Sequence, residues 1–137
     1  MNRAARILLT LAPLLLTGAC ATQPAPHCSA GEKPSVSDLI YFGTDTPDGK
    51  VSDADWAAFL SEVVTPRFPD GLTTWRASGQ WRSVDGSLTR EDSHVLNLVH
   101  AGDAKTEGAI GALIGEYKNR FRQEAVLRVR SDACVSL

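Results

Sequence analysis

Bulky residues cluster at Leu39-Ile40-Tyr41-Phe42, and this short run reads as a strand closed by Gly43 and by the turn Pro47-Asp48-Gly49. Ser52, followed by Asp53 and Asp55, then offers side-chain oxygens to the unpaired N–H groups of a helix start. In that helix Trp56, Phe59, Leu60 and Val63 recur at i, i+3, i+4 and i+7, a single apolar stripe that Pro66 brings to an end. A second Pro-Asp-Gly turn, Pro69 to Gly71, leads into two strand-like stretches, Leu72 to Arg82 and Leu88 to His100, separated by Asp85-Gly86. A two-residue turn there predicts Val84 opposite Ser87, Trp81 opposite Arg90, Gln80 opposite Glu91 and Trp75 opposite Leu96. Trp75, Leu96 and Leu98 would then share the core face, with Thr74, Arg76, Val95 and Asn97 on the other. Asp103 caps a second helix whose stripe is Ile110, Leu113, Ile114, Tyr117 and Phe121, and Val126 to Val129 forms the last strand. Gly108, Gly111 and Gly115 each weaken that helix by about 1 kcal/mol relative to Ala, which implies close packing at those points.

The resulting order is βαββαβ. Two βαβ halves sharing a central hairpin predict an α+β, ferredoxin-like two-layer sandwich, with a four-stranded antiparallel sheet and both helices on one face. The other sheet face is left open for a ligand or for a homodimer contact, because a large uncovered apolar surface is a liability in solution.

Ahead of the fold, Arg3 and Arg6 precede the apolar run Ile7 to Leu16 and the small residues Thr17-Gly18-Ala19 before Cys20. The run is too short to span a bilayer as a mature helix, and the pattern resembles the lipobox of bacterial lipoproteins. Residues 1–19 are thus expected to be a signal peptide, with Cys20 carrying lipid; cleavage at a small residue as an ordinary secretory signal is the other reading. Ala21 after Cys20 points, by that resemblance, to an outer-membrane anchor in the bacterial envelope, facing the periplasm. Residues 20–37, with Pro24, Pro26 and Pro34, read as a flexible tether, and residues 38–137 as the folded domain.

Charge narrows the partners. The formal charge of −2 falls to about −4 once Arg3 and Arg6 are removed, and no basic run could track a phosphate backbone, so nucleic acid is not an expected partner. Membrane attachment would come from the lipid. With Cys20 assigned to lipid, Cys28 and Cys134 remain as an even pair in an oxidising compartment. The first and last strands of a ferredoxin-like sheet are antiparallel neighbours, which brings the two cysteines to one sheet edge. An intrachain disulfide follows, against free thiols or a bridge between copies.

Leu39-Ile40-Tyr41-Phe42-Gly43, Val51 to Trp56, Thr65 to Leu72, Gly79-Gln80-Trp81-Arg82 and Glu124 to Val129 together resemble a bacterial family known as domain of unknown function 3574. The resemblance implies a small extracytoplasmic domain, often behind a lipoprotein signal, with no established activity.

No Gly-rich phosphate loop, His-Glu-x-x-His, Cys-x-x-Cys or nucleophile elbow is present, and three scattered histidines do not make a metal site. No cofactor is implied. The polar residues that the topology gathers near the hairpin are Arg67, Asp70, Gln80, Trp81, Arg82, Arg90 and Glu91. Arg67, held between two prolines, could grip a ligand carboxylate or pair internally with Asp70 or Glu91. Trp81 and Arg90 could stack as a cation–π pair. His100 beside Asp103 could shuttle a proton or be structural. The first expectation is a non-catalytic binding module of the envelope. The alternative is a small dimeric ferredoxin-like enzyme acting on an acidic small molecule, with Arg67 as anchor and His100 or Glu91 moving a proton.

Overall fold

A computed structural model describes residues 27–82 and 85–137. The segment expected to be a signal peptide, Cys20 and the first part of the expected tether lie outside them. In chain order the elements are β1 (Lys33–Gly43), β2 (Asp45–Thr46), β3 (Gly49–Lys50), α1 (Asp53–Phe59), β4 (Thr73–Arg82), β5 (Leu88–His100), α2 (Ala104–Phe121) and β6 (Leu127–Val135). Four strands form one antiparallel sheet in the order β4-β5-β1-β6, with both helices on one face, which is the expected ferredoxin-like arrangement. The small β2–β3 hairpin turns through Pro47-Asp48, with Gly49 at φ 143°.

β1 begins at Lys33, so residues 33–37 of the expected tether are strand. Its pattern explains the extension: Val36, Asp38, Ile40 and Phe42 are all buried while the residues between them are half-buried, the alternation of a central strand. α1 starts on the expected Ser52–Asp55 capping box, with Ser52 Oγ accepting from the Asp55 amide at 3.2 Å. It continues into one π-helical turn, Leu60–Val64, ahead of Pro66. Between the layers Trp56, Phe59 and Tyr117 gather around Phe42, with ring centroids 5.3, 5.9 and 4.6 Å away. Both predicted helical stripes therefore face the core, and Leu113 and Ile110 are fully buried.

The hairpin register differs from the expectation by one residue. Arg82 pairs with Leu88, Trp81 with Thr89, Gln80 with Arg90, Gly79 with Glu91 and Trp75 with Val95. Five residues, not two, separate the last paired positions, and a slip of one moves side chains to the opposite face. Leu96 and Leu98 remain in the core, but Trp75 lies half-exposed on the open face while Thr74 and Arg76 turn toward the helices. The register runs unbroken past Gly79, so no bulge compensates. The α2 glycines also depart from expectation: an added Cβ at Gly108, Gly111 or Gly115 would meet nothing within 4 Å.

The disulfide is present. Cys28 and Cys134 are joined with Cα atoms 5.5 Å apart, next to the Pro34–Cys134 pair of the β1–β6 ladder. Strand adjacency thus brought the two cysteines together as the topology required.

Candidate active site

The open sheet face holds a cavity of about 430 Å³ at the end nearest the β1–β2 connection, lined by Tyr41, Gly43, Gly79, Gln80, Glu91, Ser93, Gln123, Ala125 and Leu127. Four strands and one connecting segment build it. Tyr41 and Leu127 are cross-strand neighbours on β1 and β6, Gly79 and Glu91 are neighbours on β4 and β5, and the segment after α2 supplies Gln123 and Ala125. Gln123 is fixed there by its side-chain amide, which donates to the Asp45 carbonyl at 2.5 Å.

Glu91 is the carboxylate of this cavity. One oxygen accepts from the Asp45 amide at 3.2 Å, and the group lies so close to the backbone of Gly43 that a Cβ there would come within 2.3 Å of it. Any side chain at position 43 would displace the carboxylate. The Gly43 carbonyl, in turn, accepts a hydrogen bond from the Tyr117 hydroxyl at 2.9 Å. Tyr117 stays protonated, because burial and then the charges of Glu91 and Asp55 raise its pKa well above the usual tyrosine range. The core thus pins the residue against which the carboxylate rests.

A second group of ionisable residues sits at the other end of the sheet, under the start of α2. Asp38 is fully buried on the helix-facing side of β1 and accepts from Arg128 Nε at 2.7 Å and Nη2 at 2.6 Å. Arg128 also donates to both oxygens of Glu107 at 3.0 Å, and Arg130 pairs with Glu107. His100 Nε2 lies 2.8 Å from Asp38 Oδ2, while His100 Nδ1 accepts from the Gly102 amide at 3.0 Å. The proton therefore resides on Nε2, and both ring nitrogens are occupied. Burial opposes the Asp38 charge, but hydrogen bonds from Arg128 and His100 and the charge of Arg128 outweigh it, so its pKa lies below the usual carboxylate value. Asp38, His100 and Glu107 are close enough to hold a metal ion, but the Arg128 guanidinium stands among their carboxylates and supplies the positive charge itself.

The sequence-derived candidates therefore divide. Gln80 and Glu91 meet in the open-face cavity. Arg67, Asp70 and His100 meet elsewhere, in a cavity of about 360 Å³ beside the start of α2 that Lys105 also lines. There Arg67 donates to the Val63 carbonyl at 2.6 Å, so it caps the helix that precedes it; no ion pair joins it to Asp70 or Glu91 among the described residues. His100 bonds Asp38 and not Asp103, whose carboxylate accepts from the Thr106 amide as the helix cap. Arg82 donates to the Gly86 carbonyl at 2.7 Å and closes the hairpin tip, and Arg90 is exposed on the same hairpin. Trp81 faces Thr89 in the ladder, not Arg90, and its side chain lies outside the described ones.

Tyr41, Gly43 and Gln123 were not among the candidates, nor were Asp38, Glu107 and Arg128. One signal was readable for Asp38: it stands in step with Val36, Ile40 and Phe42, a charge on the apolar side of a strand, and such a charge needs a partner. Nothing local marks Gly43 or Gln123, whose roles depend on segments that meet only in the fold.

A two-layer α+β sandwich with a carboxylate set in a ligand-sized cavity on its uncovered sheet face is the class that this fold and site define. The chain belongs to the family described as "Protein of unknown function (DUF3574)", whose model matches residues 37–137. No curated protein matches it. Among solved structures it is similar to a phage SAM lyase in complex with S-methyl-5'-thioadenosine, with a TM-score of 0.54 and 15% identity over 84% of this chain and 97% of that one. The same phage enzyme in its apo state gives a TM-score of 0.54 and 16% identity over 82% and 95% of the two chains. At this identity the likeness establishes the shared fold. The first expectation of a purely non-catalytic binding module is corrected by this finding, since a solved protein with the same fold is an enzyme.

Proposed function

We propose that this protein is a small enzyme that binds a neutral or cationic small molecule in the open-face cavity and uses Glu91 as its proton acceptor. The observation that carries the reading is the Glu91 carboxylate, pinned against Gly43 inside a mainly apolar cavity and braced by the Asp45 amide. A carboxylate held by a short, fixed set of contacts within reach of a bound molecule has the geometry of a general base. Tyr41 and Leu127 offer an aromatic and an aliphatic wall, and Gln80 and Gln123 offer amide groups to orient a heteroaromatic ring. An acidic substrate does not fit this cavity, because Glu91 would repel it. Arg67, the expected anchor for such a substrate, lines a different cavity.

The phage lyase supplies the first compounds to try, namely SAM, whose sulfonium charge suits a carboxylate, and S-methyl-5'-thioadenosine. Titration calorimetry should detect saturable binding of one of them by the wild type. Glu91→Gln should retain binding of S-methyl-5'-thioadenosine while abolishing any turnover of SAM followed by chromatography. Full turnover by Glu91→Gln would remove Glu91 from the chemistry.

We further infer that the enzyme is held at the bacterial envelope by lipid on Cys20, the reading favoured by the apolar run and the small residues before that cysteine. Cys20→Ser should release the protein from the membrane fraction, and unchanged partitioning would remove that anchor.

A further inference from the structure

The open face carries its charges in a pattern that matches a second copy of itself. Its positions on β1 from Ser35 to Gly43, on β5 from Ser93 to Val99, on β4 from Thr73 to Ala77 and on β6 from Leu127 to Ala133 include no charged side chain. Trp75, Val99, Leu127 and Val129 are about half-exposed there. Off the strands, Asp70 lines a cavity with Lys33, Ser35 and Val99. Among the described strand positions of this face, charge appears at the two ends: Lys33, in step with Ser35 and Ser37 on β1, and Glu91, in step with Ser93 and Val95 on β5. Leu39 and Asn97 are cross-strand partners midway between them, each six residues from its charged end. A half-turn about an in-plane axis through that pair exchanges the two ends.

We propose that two copies pack through this face about such an axis, so that the partner subunit's Lys33 comes over the Glu91 cavity and closes it. Face-to-face sheets lie about 10 Å apart, a gap that a lysine and a glutamate side chain reach across together. The uncharged face measures roughly 450 Å² in plan from strand spacing and rise, and side-chain relief raises its area toward the ~800 Å² per partner of a stable interface. A second copy fits better than another occupant, because opposite charges at equal distances from one centre are what a self-complementary interface requires. A lipid surface would call for a basic face instead. Leu127 belongs both to the cavity wall and to the uncharged face, so the cavity mouth opens directly onto the proposed interface. For its functional meaning this inference rests on the reading of the Glu91 cavity as the working site.

Sedimentation equilibrium of the full-length protein without ligand tests the interface. The wild type should be a dimer, and Val129→Glu a monomer with an unchanged far-ultraviolet spectrum. Lys33→Glu and Glu91→Lys should each weaken association by at least about tenfold, as like charges then face each other, and the double variant K33E/E91K should recover it. A monomeric wild type, or a dimer indifferent to Val129→Glu, would overturn the interface, and failure of the double variant to recover would overturn the Lys33–Glu91 pairing. Binding of S-methyl-5'-thioadenosine is then measured separately. Uptake by the dimer and loss in Val129→Glu would support closure by the partner, and equal uptake by both would overturn it. If the dimer takes up nothing, the enzyme reading fails while sedimentation still decides the interface.

Discussion

The imidazole of His94 lies flat on the indole of Trp56, with centroids 4.5 Å apart and planes within 5° of parallel. Both are buried between α1 and the sheet, and His94 Nε2 has no hydrogen-bond partner among the described residues. Burial, and next the charge of Arg76, push the His94 pKa below its usual value, with Asp53 acting weakly the other way. The folded protein therefore holds this ring neutral, while the unfolded chain takes up a proton near pH 6.5. More protons bind to the unfolded state, so stability rises with pH across the window between the folded pKa and about 6.5. Urea unfolding should show lower stability at pH 5.5 than at pH 7.5, and His94→Phe should flatten that difference. An unchanged pH dependence in His94→Phe would show that another group carries it.

Trp56 also anchors the aromatic cluster, touching Phe42 through a tilted contact, Phe59 through a stacked one and Tyr117 through an edge contact. Removing a buried indole leaves a void that a sheet and a helix cannot readily close, so Trp56→Ala should cost about 3–5 kcal/mol. Trp75, half-exposed on the open face, provides the internal control. Its replacement by Ala should leave the midpoint of the isolated subunit within the ~0.5 kcal/mol typical of surface sites. Equal losses at the two positions would show that Trp56 is not a core residue.

Asp38 and Arg128 tie β1, β6 and α2 together at the opposite end of the core. Asp38→Ala would leave the Arg128 guanidinium half-buried with only Glu107 as counter-charge, and breaking such a pair costs about 3 kcal/mol or more. Because the Asp38 pKa is lowered on folding, its contribution is fully present above the unfolded value of about 4 and is lost as pH falls through the folded pKa. Acid unfolding followed by tryptophan fluorescence should begin at higher pH in Asp38→Ala than in the wild type. Coincident curves would show that the network adds nothing to stability.

The element order could be read from the chain because each element carries its own local signal: the Ser52 box, the stripe ended by Pro66, the Asp103 cap. Register could not, because Asp85-Gly86 names a turn without fixing how many residues the loop spans, and one residue of error put Trp75 on the wrong face. The site divided in the same way. Glu91 and Gln80 stood near a recognisable hairpin and do line one cavity, whereas His100 was matched to its sequence neighbour Asp103 while its partner, Asp38, lies 62 residues away. Pairings of that kind are fixed by strand order and side-chain parity together. The even pair Cys28 and Cys134 needed strand order alone, and that pairing was legible.

Reduction of the disulfide tests how far that edge depends on it. β6 is an edge strand whose ladder partner is β1, and the bridge closes its far end across a sequence separation of 106 residues. The chain-entropy model gives roughly 4.7 kcal/mol for a loop of this size, nearly all of it from restriction of the unfolded chain. The native contacts that remain on reduction are the whole β1–β6 ladder and the Arg128–Asp38 bonds, so the reduced protein should still fold. Dithiothreitol, or the double change Cys28→Ser with Cys134→Ser, should therefore lower the thermal midpoint by up to roughly 20–40 °C, given ~4–8 °C per kcal/mol for a domain of this size. The circular dichroism spectrum before melting should not change. Hydrogen exchange should quicken first at the ends of the ladder, Lys33 to Ser35 and Ala133 to Val135, because only those residues lose a tether in the native state. Non-reducing peptide mapping should recover Cys28 and Cys134 in one linked fragment from a band that runs as a monomer in denaturant. Recovery of both as alkylatable thiols, or a midpoint that ignores reduction, would overturn the assignment.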